Sequence, residues 1–204
     1  GVKRAGRLLC ISEATRDDLM ARYPGAADRA LAIPLAADAR FTNASADDAD
    51  RAAATHGLDT EYVLCAGTIE PRKNLERLIR AWAAVDPAVR GDRVLALVGP
   101  TGWDAAPLLE AANAHPDSVR RLGFVPDDEL AALYRGCAAF AYPSLYEGFG
   151  LPVLEAMAAG APVLTSDVSS LPEVAGDAAL LVDPTSVEAI RDGLTRLLRD
   201  PVLR

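Results

Sequence analysis

From Tyr62 onward, short apolar runs alternate with longer segments whose apolar positions recur at helical spacing. Runs of this length between turn signals are typical of buried strands. Six of them occur: YVLCAG (62–67), VLALVG (94–99), SVRRLGF (118–124), AAFAYPS (138–144), PVLTSD (162–167) and ALLVD (179–183). Strands that alternate with helices form a parallel sheet covered on both faces. The pattern therefore predicts an α/β domain with a doubly wound, Rossmann-like parallel sheet.

The segments between these runs carry signals for where helices begin and end. Leu75, Leu78, Ile79 and Trp82 fall on one helical face after Asn74, a candidate N-cap. A Ser or Thr followed three residues later by Glu predicts a capping box. The other signals are the candidate N-cap Asp127, the candidate stop Gly136, and two candidate capping boxes, Ser170 with Glu173 and Thr185 with Glu188.

Residues 1 to about 61 follow a different pattern. RLLCI (7–11) and ALAIP (30–34) are predicted strands, and SEATRDDLMARY (12–23) between them is a predicted helix capped by Ser12. The polar, Ala- and Asp-rich segment 41–59 indicates a linker or a surface helix. A β-α-β unit followed by such a segment is typical of the tail of a preceding domain.

Composition and charge exclude several classes of protein. Half of the 204 residues are apolar and a quarter are charged, as in soluble globular proteins. A net charge of −8 argues against a general nucleic-acid binder. The three cysteines lack the paired spacing of a zinc site and indicate buried thiols in a reducing cytosol: Cys10, Cys65 and Cys137. The two histidines, His56 and His115, stand alone in the sequence, so no metal site is predicted. No run approaches the roughly 20 apolar residues of a membrane span.

The loop after the first strand of the predicted sheet carries two adjacent cations. In AGTIEPRKNL (66–75), Gly67 ends the strand, and Arg72 and Lys73 precede the next helix. Ligands of open parallel sheets bind beyond the carboxyl ends of the strands. An Arg fork beside a mobile Lys suits a diphosphate. A solvated charge pair beside the turn-forming Pro71 remains the alternative.

The loop after the fourth strand combines two glycines with the start of a helix. In SLYEGFGLPVLEAMAAGAPV (144–163), Gly148 and Gly150 flank Phe149, for which we expect an exposed side chain. The free N–H groups near Gly150 and Leu151 lie at the positive end of the helix dipole. This loop is therefore a candidate anion site.

Glu147 and Glu155 flank that helix start from the loop and from one turn into the helix. A carboxylate near a helix N-terminus also has a purely electrostatic role, which accounts for Glu155 without a ligand. Paired carboxylates occur in glycosidases, but the surrounding phosphate-type features argue against hydrolysis. No GxGxxG follows any predicted strand, which disfavours a dinucleotide-dependent oxidoreductase.

These segments together identify a family resemblance. EGFGLPVLE (147–155) resembles the E-x7-E signature of retaining GT-B glycosyltransferases, especially family 4. The resemblance extends over nearly the whole chain in order, through CISEATRDDL (10–19), IPLAADARF (33–41), GTIEPRKNLERLI (67–79), LGFVPDDELAALYRGCAAFAYPSLYEGFG (122–150) and APVLTSDVSSLPEVAGDAALLVDP (161–184). It implies that the chain is the C-terminal, donor-binding half of a GT-B fold.

The resemblance also implies a role for individual residues. Arg72 and Lys73 match the positions that contact the donor diphosphate and stabilise the departing nucleoside diphosphate. Glu147 matches the glutamate that contacts the donor sugar, Glu155 the one that binds ribose, and Val125 a position whose backbone meets the base. The implied catalytic residues are Arg72, Lys73 and Glu147, and the implied substrate-binding residues are these three with Gly67, Val125, Gly148, Phe149, Gly150, Leu151 and Glu155.

On this resemblance, residues 1–36 are the tail of the N-terminal acceptor domain with the interdomain junction, and 37–204 are the nucleotide-sugar-binding domain, truncated after Arg204. The parent enzyme is expected to transfer a hexose, with mannose favoured, from a GDP-mannose or UDP-glucose type donor with retention of configuration. No metal or cofactor is expected. The protein is expected in the cytoplasm, and association of the parent with the inner membrane is left open. A non-catalytic nucleotide-sugar-binding module and a GT-B-like sugar epimerase are the alternatives.

Overall fold

Parallel strands form the centre of the protein, whose computed structural model describes residues 1–202. Within these residues the strands are β1 Leu8–Cys10, β2 Ala30–Ala32, β3 Tyr62–Ala66, β4 Val94–Val98, β5 Val119–Gly123, β6 Ala139–Tyr142, β7 Val163–Ser166 and β8 Leu180–Val182. All the strands predicted from the apolar runs are confirmed.

The main sheet has six parallel strands in the order β5-β4-β3-β6-β7-β8. The chain first builds outward from β3 to β5, and then returns to the other edge of β3 with β6. This reversal is the defining feature of a doubly wound sheet. The predicted fold class is confirmed.

Helices connect the strands and cover the sheet. Within the described residues they are α1 Glu13–Arg22, α2 Ala39–Asn43, α3 Ala46–Thr55, α4 Leu75–Ala83, α5 Pro87–Arg90, α6 Ala106–Asn113, α7 Asp127–Gly136, α8 Leu151–Ala158, α9 Leu171–Ala175 and α10 Val187–Arg199, with 3₁₀ turns at Pro24–Arg29 and Pro71–Lys73. No helix in this part of the chain combines the length and the apolar character needed to cross a membrane.

Alternate residues of β3 supply the two cores of the molecule. Val63 points into a cluster that contains the fully buried Trp82 of α4, whereas Leu64 points into the cluster on the opposite face. The predicted apolar stripe of α4 therefore packs against the sheet as expected. Cysteines are buried on both faces, and burial raises the pKa of the Cys65 and Cys137 thiols to about 12.

Two of the predicted N-caps, Asp127 and Thr185, are wrong, and Asn74 occupies the predicted N-cap position of α4 without a capping bond from its side chain. Asn74 has a left-handed backbone (φ 59°), and its Nδ2 donates to the carbonyls of Pro143 and Pro184 instead of capping α4. Helix α7 begins at Asp127 itself after Pro126, so Asp127 does not cap it. Helix α10 is capped by Ser186, whose Oγ accepts from the Ala189 N–H, rather than by Thr185. Gly136 does end α7, as predicted.

The capping box predicted at Ser170 and Glu173 is also wrong, because both side chains bond elsewhere. The Ser170 Oγ donates to the carbonyls of Glu147 and Phe149 at 2.9 and 2.7 Å. The Glu173 carboxylate accepts from the backbone N–H of Glu13, at the start of α1. Tertiary partners have thus replaced the local ones.

The N-terminal region forms the predicted β-α-β unit, with Ser12 capping α1. The polar segment that follows is helical: it forms α2 and α3, and α3 buries Ala49 and Ala52 on its way past α7. A surface helix, not a linker, is therefore the correct alternative. The boundary between 1–36 and 37–204 stays a prediction, and positions 203 and 204 lie outside the described residues.

Candidate functional site

The candidate site lies where the strand order reverses. Strands β3 and β6 are neighbours in the sheet, so the loops that leave their carboxyl ends, 67–74 and 143–150, emerge side by side. In open parallel sheets, ligands bind at such a reversal, beyond the carboxyl ends of the strands. The predicted cations and glutamate stand on these two loops.

Two glycines bring the backbones after β3 and β4 into direct contact. A Cβ built on Gly99 would lie 2.1 Å from the carbonyl oxygen of Gly67, so no other residue fits there. Gly67 has a φ of 139°, and a Cβ on it would lie 3.4 Å from Cε of Lys73. Glycine at position 67 therefore combines an unusual backbone conformation with room for the stem of Lys73.

Lys73, Arg72 and Glu147 form one ion-pair cluster. The Lys73 ammonium lies 2.8 Å from Oε1 of Glu147, and the Arg72 guanidinium lies 2.6 Å from Oε2. Each oxygen of a single carboxylate thus takes one cation. Arg72 also pairs with Glu70 at 2.6 Å, so two cations and two carboxylates balance one another across the loops.

Tyr142 and Ser144 complete the shell around Glu147. Both hydroxyls donate to Oε1 at 2.8 Å. The Tyr142 hydroxyl also accepts a hydrogen bond from Lys73, whose ammonium lies 4.8 Å from the centre of the tyrosine ring. Neither residue was predicted, although each stands at the carboxyl end of β6, where polar side chains are a signal for a site.

The environment of Glu147 keeps it ionised. The residue is only 8% exposed, and burial raises the pKa of its carboxyl, but the hydrogen bonds and charges of Lys73 and Arg72 outweigh burial and hold that pKa below its ordinary value. An ionised, buried carboxylate that pairs with two cations fixes their positions. The fixed cations are then suited to bind an anionic ligand.

The start of α8 supplies backbone donors beside this cluster. Across the described chain, no hydrogen bond is donated by the backbone N–H groups of residues 148–151. Gly150, which precedes the helix, has a φ of 109°, and a Cβ on it would lie 2.7 Å from Cδ2 of Leu171. Free N–H groups at a helix start are suited to an anion.

The glycine loop, residues 147–150, differs from its prediction in one detail. Phe149 is buried, at 6% exposure, rather than exposed. Burial of this large apolar side chain is favourable and fixes the loop to the protein. Gly148 does not have a positive φ, and a Cβ on it would lie 3.3 Å from Cδ1 of Ile11, a close contact that a small shift of the Ile11 side chain would relieve.

Glu155 and Val125 lie apart from the ion-pair cluster. In the described structure neither shares a hydrogen bond or an ion pair with Arg72, Lys73 or Glu147. Burial and the charge of Asp127 raise the pKa of the Glu155 carboxyl, the opposite direction from Glu147. Val125 follows β5 and is buried, so only its backbone is offered to a ligand. The predicted residues thus form a charged centre and a separate flank.

Comparisons with known proteins give this geometry a family context. The family described as glycosyl transferases group 1 matches residues 46–204. O-antigen chain mannosyltransferase B of Escherichia coli is 38% identical over 196 residues, which are 95% of this chain and 51% of the relative. D-inositol 3-phosphate glycosyltransferase of Corynebacterium glutamicum is 35% identical, over 100% of this chain and 51% of the relative. The chain spans about half the length of these curated relatives.

Solved structures show the same fold. Sucrose-phosphate synthase from Thermosynechococcus elongatus matches with a TM-score of 0.82 and 27% identity, over 99% of this chain and 51% of that one. Anabaena HepE, crystallised with UDP and glucose, matches with a TM-score of 0.87 and 20% identity, over 99% and 56%.

Proposed function

The chain belongs to the family of glycosyl transferases group 1, and from that premise we propose that it binds the nucleotide-sugar donor of a hexosyltransferase. Its sheet would form the C-terminal half of a GT-B fold, which agrees with its match to about half the length of the solved structures that it resembles. The parent enzyme would transfer the hexose to an acceptor with retention of anomeric configuration. The chain itself would supply the donor half of the cleft.

The observation that carries this proposal is the cluster of Arg72, Lys73 and Glu147 beside the free N–H groups of 148–151. A diphosphate would meet a guanidinium fork, an ammonium and a helix N-terminus at once. When the bond from the anomeric carbon to the phosphate oxygen breaks, negative charge grows on the departing diphosphate. Cations already fixed in place stabilise that charge without reorganisation.

Glu147 would act on the sugar rather than on the phosphate. Its carboxylate accepts from Lys73, Tyr142 and Ser144 and is held ionised, so it is suited to accept a hydrogen bond from a sugar hydroxyl. Glu155, outside the cluster, would bind ribose, and the backbone at Val125 would meet the base. These assignments follow the family resemblance and the separation between the charged centre and its flank.

Mannose is the sugar that we favour, with GDP-mannose as the donor. Several relatives that are 36–38% identical carry the name mannosyltransferase, among them the Escherichia coli serotype-specific mannosyltransferase WbdA. A UDP-glucose type donor is the alternative. The acceptor would be held by a further domain, since the relatives are about twice as long as this chain.

Calorimetric titration with GDP, UDP, ADP and the corresponding monophosphates tests donor binding. We expect diphosphates to bind more tightly than monophosphates, because the second phosphate reaches Arg72 and Lys73. Lys73→Ala should weaken diphosphate binding by about 1.5–3 kcal/mol, the value of a charge-assisted hydrogen bond, and leave the monophosphate nearly unaffected.

Lys3→Ala is the matched control, because Lys3 is an exposed lysine outside the site. It should bind every nucleotide as the unsubstituted chain does. Equal losses for diphosphate and monophosphate in Lys73→Ala would mean that Lys73 supports the fold, and absence of any nucleotide binding by the unsubstituted chain would refute the proposal.

A further inference from the structure

The first turn of α1 contacts the glycine loop of the candidate site through two hydroxyl groups. The Oγ of Ser12 lies 2.7 Å and the Oγ1 of Thr15 lies 2.8 Å from the carbonyl oxygen of Gly148. The residues are separated from Gly148 by more than 130 positions along the chain. The contact therefore joins the N-terminal β-α-β unit to the loop that carries Glu147.

Capping of α1 does not explain these two bonds. The cap needs only the Ser12 oxygen as an acceptor for the Thr15 N–H, at 2.9 Å. The cap does not use the hydroxyl protons of Ser12 and Thr15. The Ser12 Oγ also lies 2.9 Å from Oγ1 of Thr15, but both hydroxyls lie within hydrogen-bond distance of the Gly148 carbonyl oxygen, whose two lone pairs can accept both protons. Ser12 is fully buried, so its proton has no water to bond.

Further contacts hold the same helix against the site. The Glu173 carboxylate accepts from the N–H groups of Glu13 and Ala14, and the Tyr146 hydroxyl donates to Asp18 at 2.7 Å. Gly148 also packs closely against Ile11, since a Cβ on Gly148 would lie 3.3 Å from Cδ1 of Ile11. Residues before, within and after the loop are thus tied to α1 or to its start.

Fixing a carbonyl fixes the whole peptide unit. The peptide bond between Gly148 and Phe149 is planar and trans, so the N–H of Phe149 points opposite to the carbonyl of Gly148. Because that carbonyl is directed at α1, the N–H is directed away from it, and it donates to no group in the described residues. A rotated peptide would present a carbonyl oxygen where a donor is needed.

We propose that Ser12 and Thr15 are positioning residues of the donor site: they lock the Gly148–Phe149 peptide so that its N–H is presented to the donor sugar. This inference rests on the proposed function, because it presumes that the loop binds a nucleotide sugar. It extends the site to residues of the N-terminal unit, which need not touch the ligand to set its affinity.

Thr15→Val tests the inference, because valine keeps the shape of threonine, removes the hydroxyl and leaves the Ser12 cap in place. We expect the dissociation constant for GDP-mannose to rise about three- to tenfold, the effect of one lost neutral hydrogen bond, and that for GDP to rise less than twofold. Thr15→Ser restores the hydroxyl and should bind both ligands normally. Adding Ser12→Ala to Thr15→Val should weaken GDP-mannose binding further.

Ser45→Ala is the matched control, since Ser45 caps α3 through the same kind of bond but is exposed and makes no contact with the loop. It should lower the Tm without changing either dissociation constant. UDP-glucose and UDP replace the GDP pair if the uridine ligands bind more tightly.

Normal affinity for the sugar nucleotide in Thr15→Val would overturn the inference. So would equal losses for sugar nucleotide and free diphosphate, whether or not the Tm falls, because the hydroxyl groups would then not act through the sugar. Failure of the unsubstituted chain to bind any nucleotide would instead overturn the proposed function and this inference with it.

Discussion

Two glutamates of one loop and helix have opposite electrostatic surroundings. Glu147 is paired with Lys73 and Arg72, which hold its pKa below the ordinary value of 4.5. Glu155 is half-buried, and burial with the nearby charge of Asp127 raises its pKa above that value. The ionised form of Glu147 therefore stabilises the fold, whereas the ionised form of Glu155 destabilises it.

We expect the two neutral variants to change stability in opposite directions at pH 7. Glu147→Gln leaves Lys73 and Arg72 without their shared carboxylate and should lower the free energy of unfolding by about 3 kcal/mol. Glu155→Gln removes an unfavourable charge and should raise the free energy of unfolding. Thermal and urea denaturation of both variants measure the difference.

The pH dependence of each variant supplies the control. Stabilisation by Glu147 is present above pH 4.5 and is lost as the pH falls through its lower folded pKa, so the cost of Glu147→Gln should shrink in acid. The cost of ionised Glu155 disappears as the pH falls below 4.5, and with it the gain from Glu155→Gln. Changes in the free energy of unfolding that do not vary with pH would contradict these electrostatic assignments.

At this scale, the sequence predicted which residues carry charge but not how they bond. Arg72, Lys73 and Glu147 were expected at one site, and they form one cluster. Tyr142 was missed because it lies within an apolar strand run. Its hydroxyl meets Lys73 and Glu147 only through the tertiary fold. Phe149 was expected to be exposed because it stands between two glycines in a loop, and the local sequence does not indicate that its ring is buried.

Among the elements, α8 depends on the residue that precedes it. Gly150→Ala would force a side chain into a φ of 109°, which lies outside the left-handed region open to alanine, and against Leu171. We expect a loss of about 2 kcal/mol or more in the free energy of unfolding, together with weaker nucleotide binding because the helix start moves. Urea denaturation and calorimetry measure the two effects.

Gly57→Ala is the matched control for the backbone effect. Gly57 also has a positive φ, at 66°, but a Cβ there meets nothing within 4 Å, and the residue lies at the end of α3 outside the site. Its cost should stay near 1 kcal/mol with unchanged nucleotide affinity. A similar cost for both substitutions would mean that contact with Leu171 is unimportant.

The elements themselves were predictable, and their ends were not. Short apolar runs identified the sheet strands and a period-3.6 pattern identified α4, because burial dictates both patterns locally. The predicted capping bonds are absent where the side chain has a distant partner. The Asn74 amide donates to the carbonyls of Pro143 and Pro184, and the Glu173 carboxylate accepts from the N–H of Glu13. Such partners lie up to 160 residues away and leave no local signal.

For the molecule as a whole, we expect donor binding without sugar transfer. The chain carries the proposed donor-binding residues, but transfer also requires an acceptor hydroxyl held against the anomeric carbon. Positioning of that kind supplies roughly 7–11 kcal/mol of barrier reduction. Incubation with labelled GDP-mannose or UDP-glucose and sugar or lipid acceptors should give no product, and an N-terminal domain of a relative added in trans should restore some transfer. Robust turnover by the chain alone would contradict this expectation.

The strand order also determines when the site comes into being. β6 pairs with β3 across more than 70 intervening residues, so the cations after β3 remain without their carboxylate until the chain has completed three strands and turned back. Contacts of such long sequence separation form slowly, because loop closure must precede them. During synthesis, the ribosome must release β6 and the loop that carries Glu147 before Lys73 meets Glu147. A nascent chain that ends at β5 already holds half of the main sheet but lacks the ion-pair cluster.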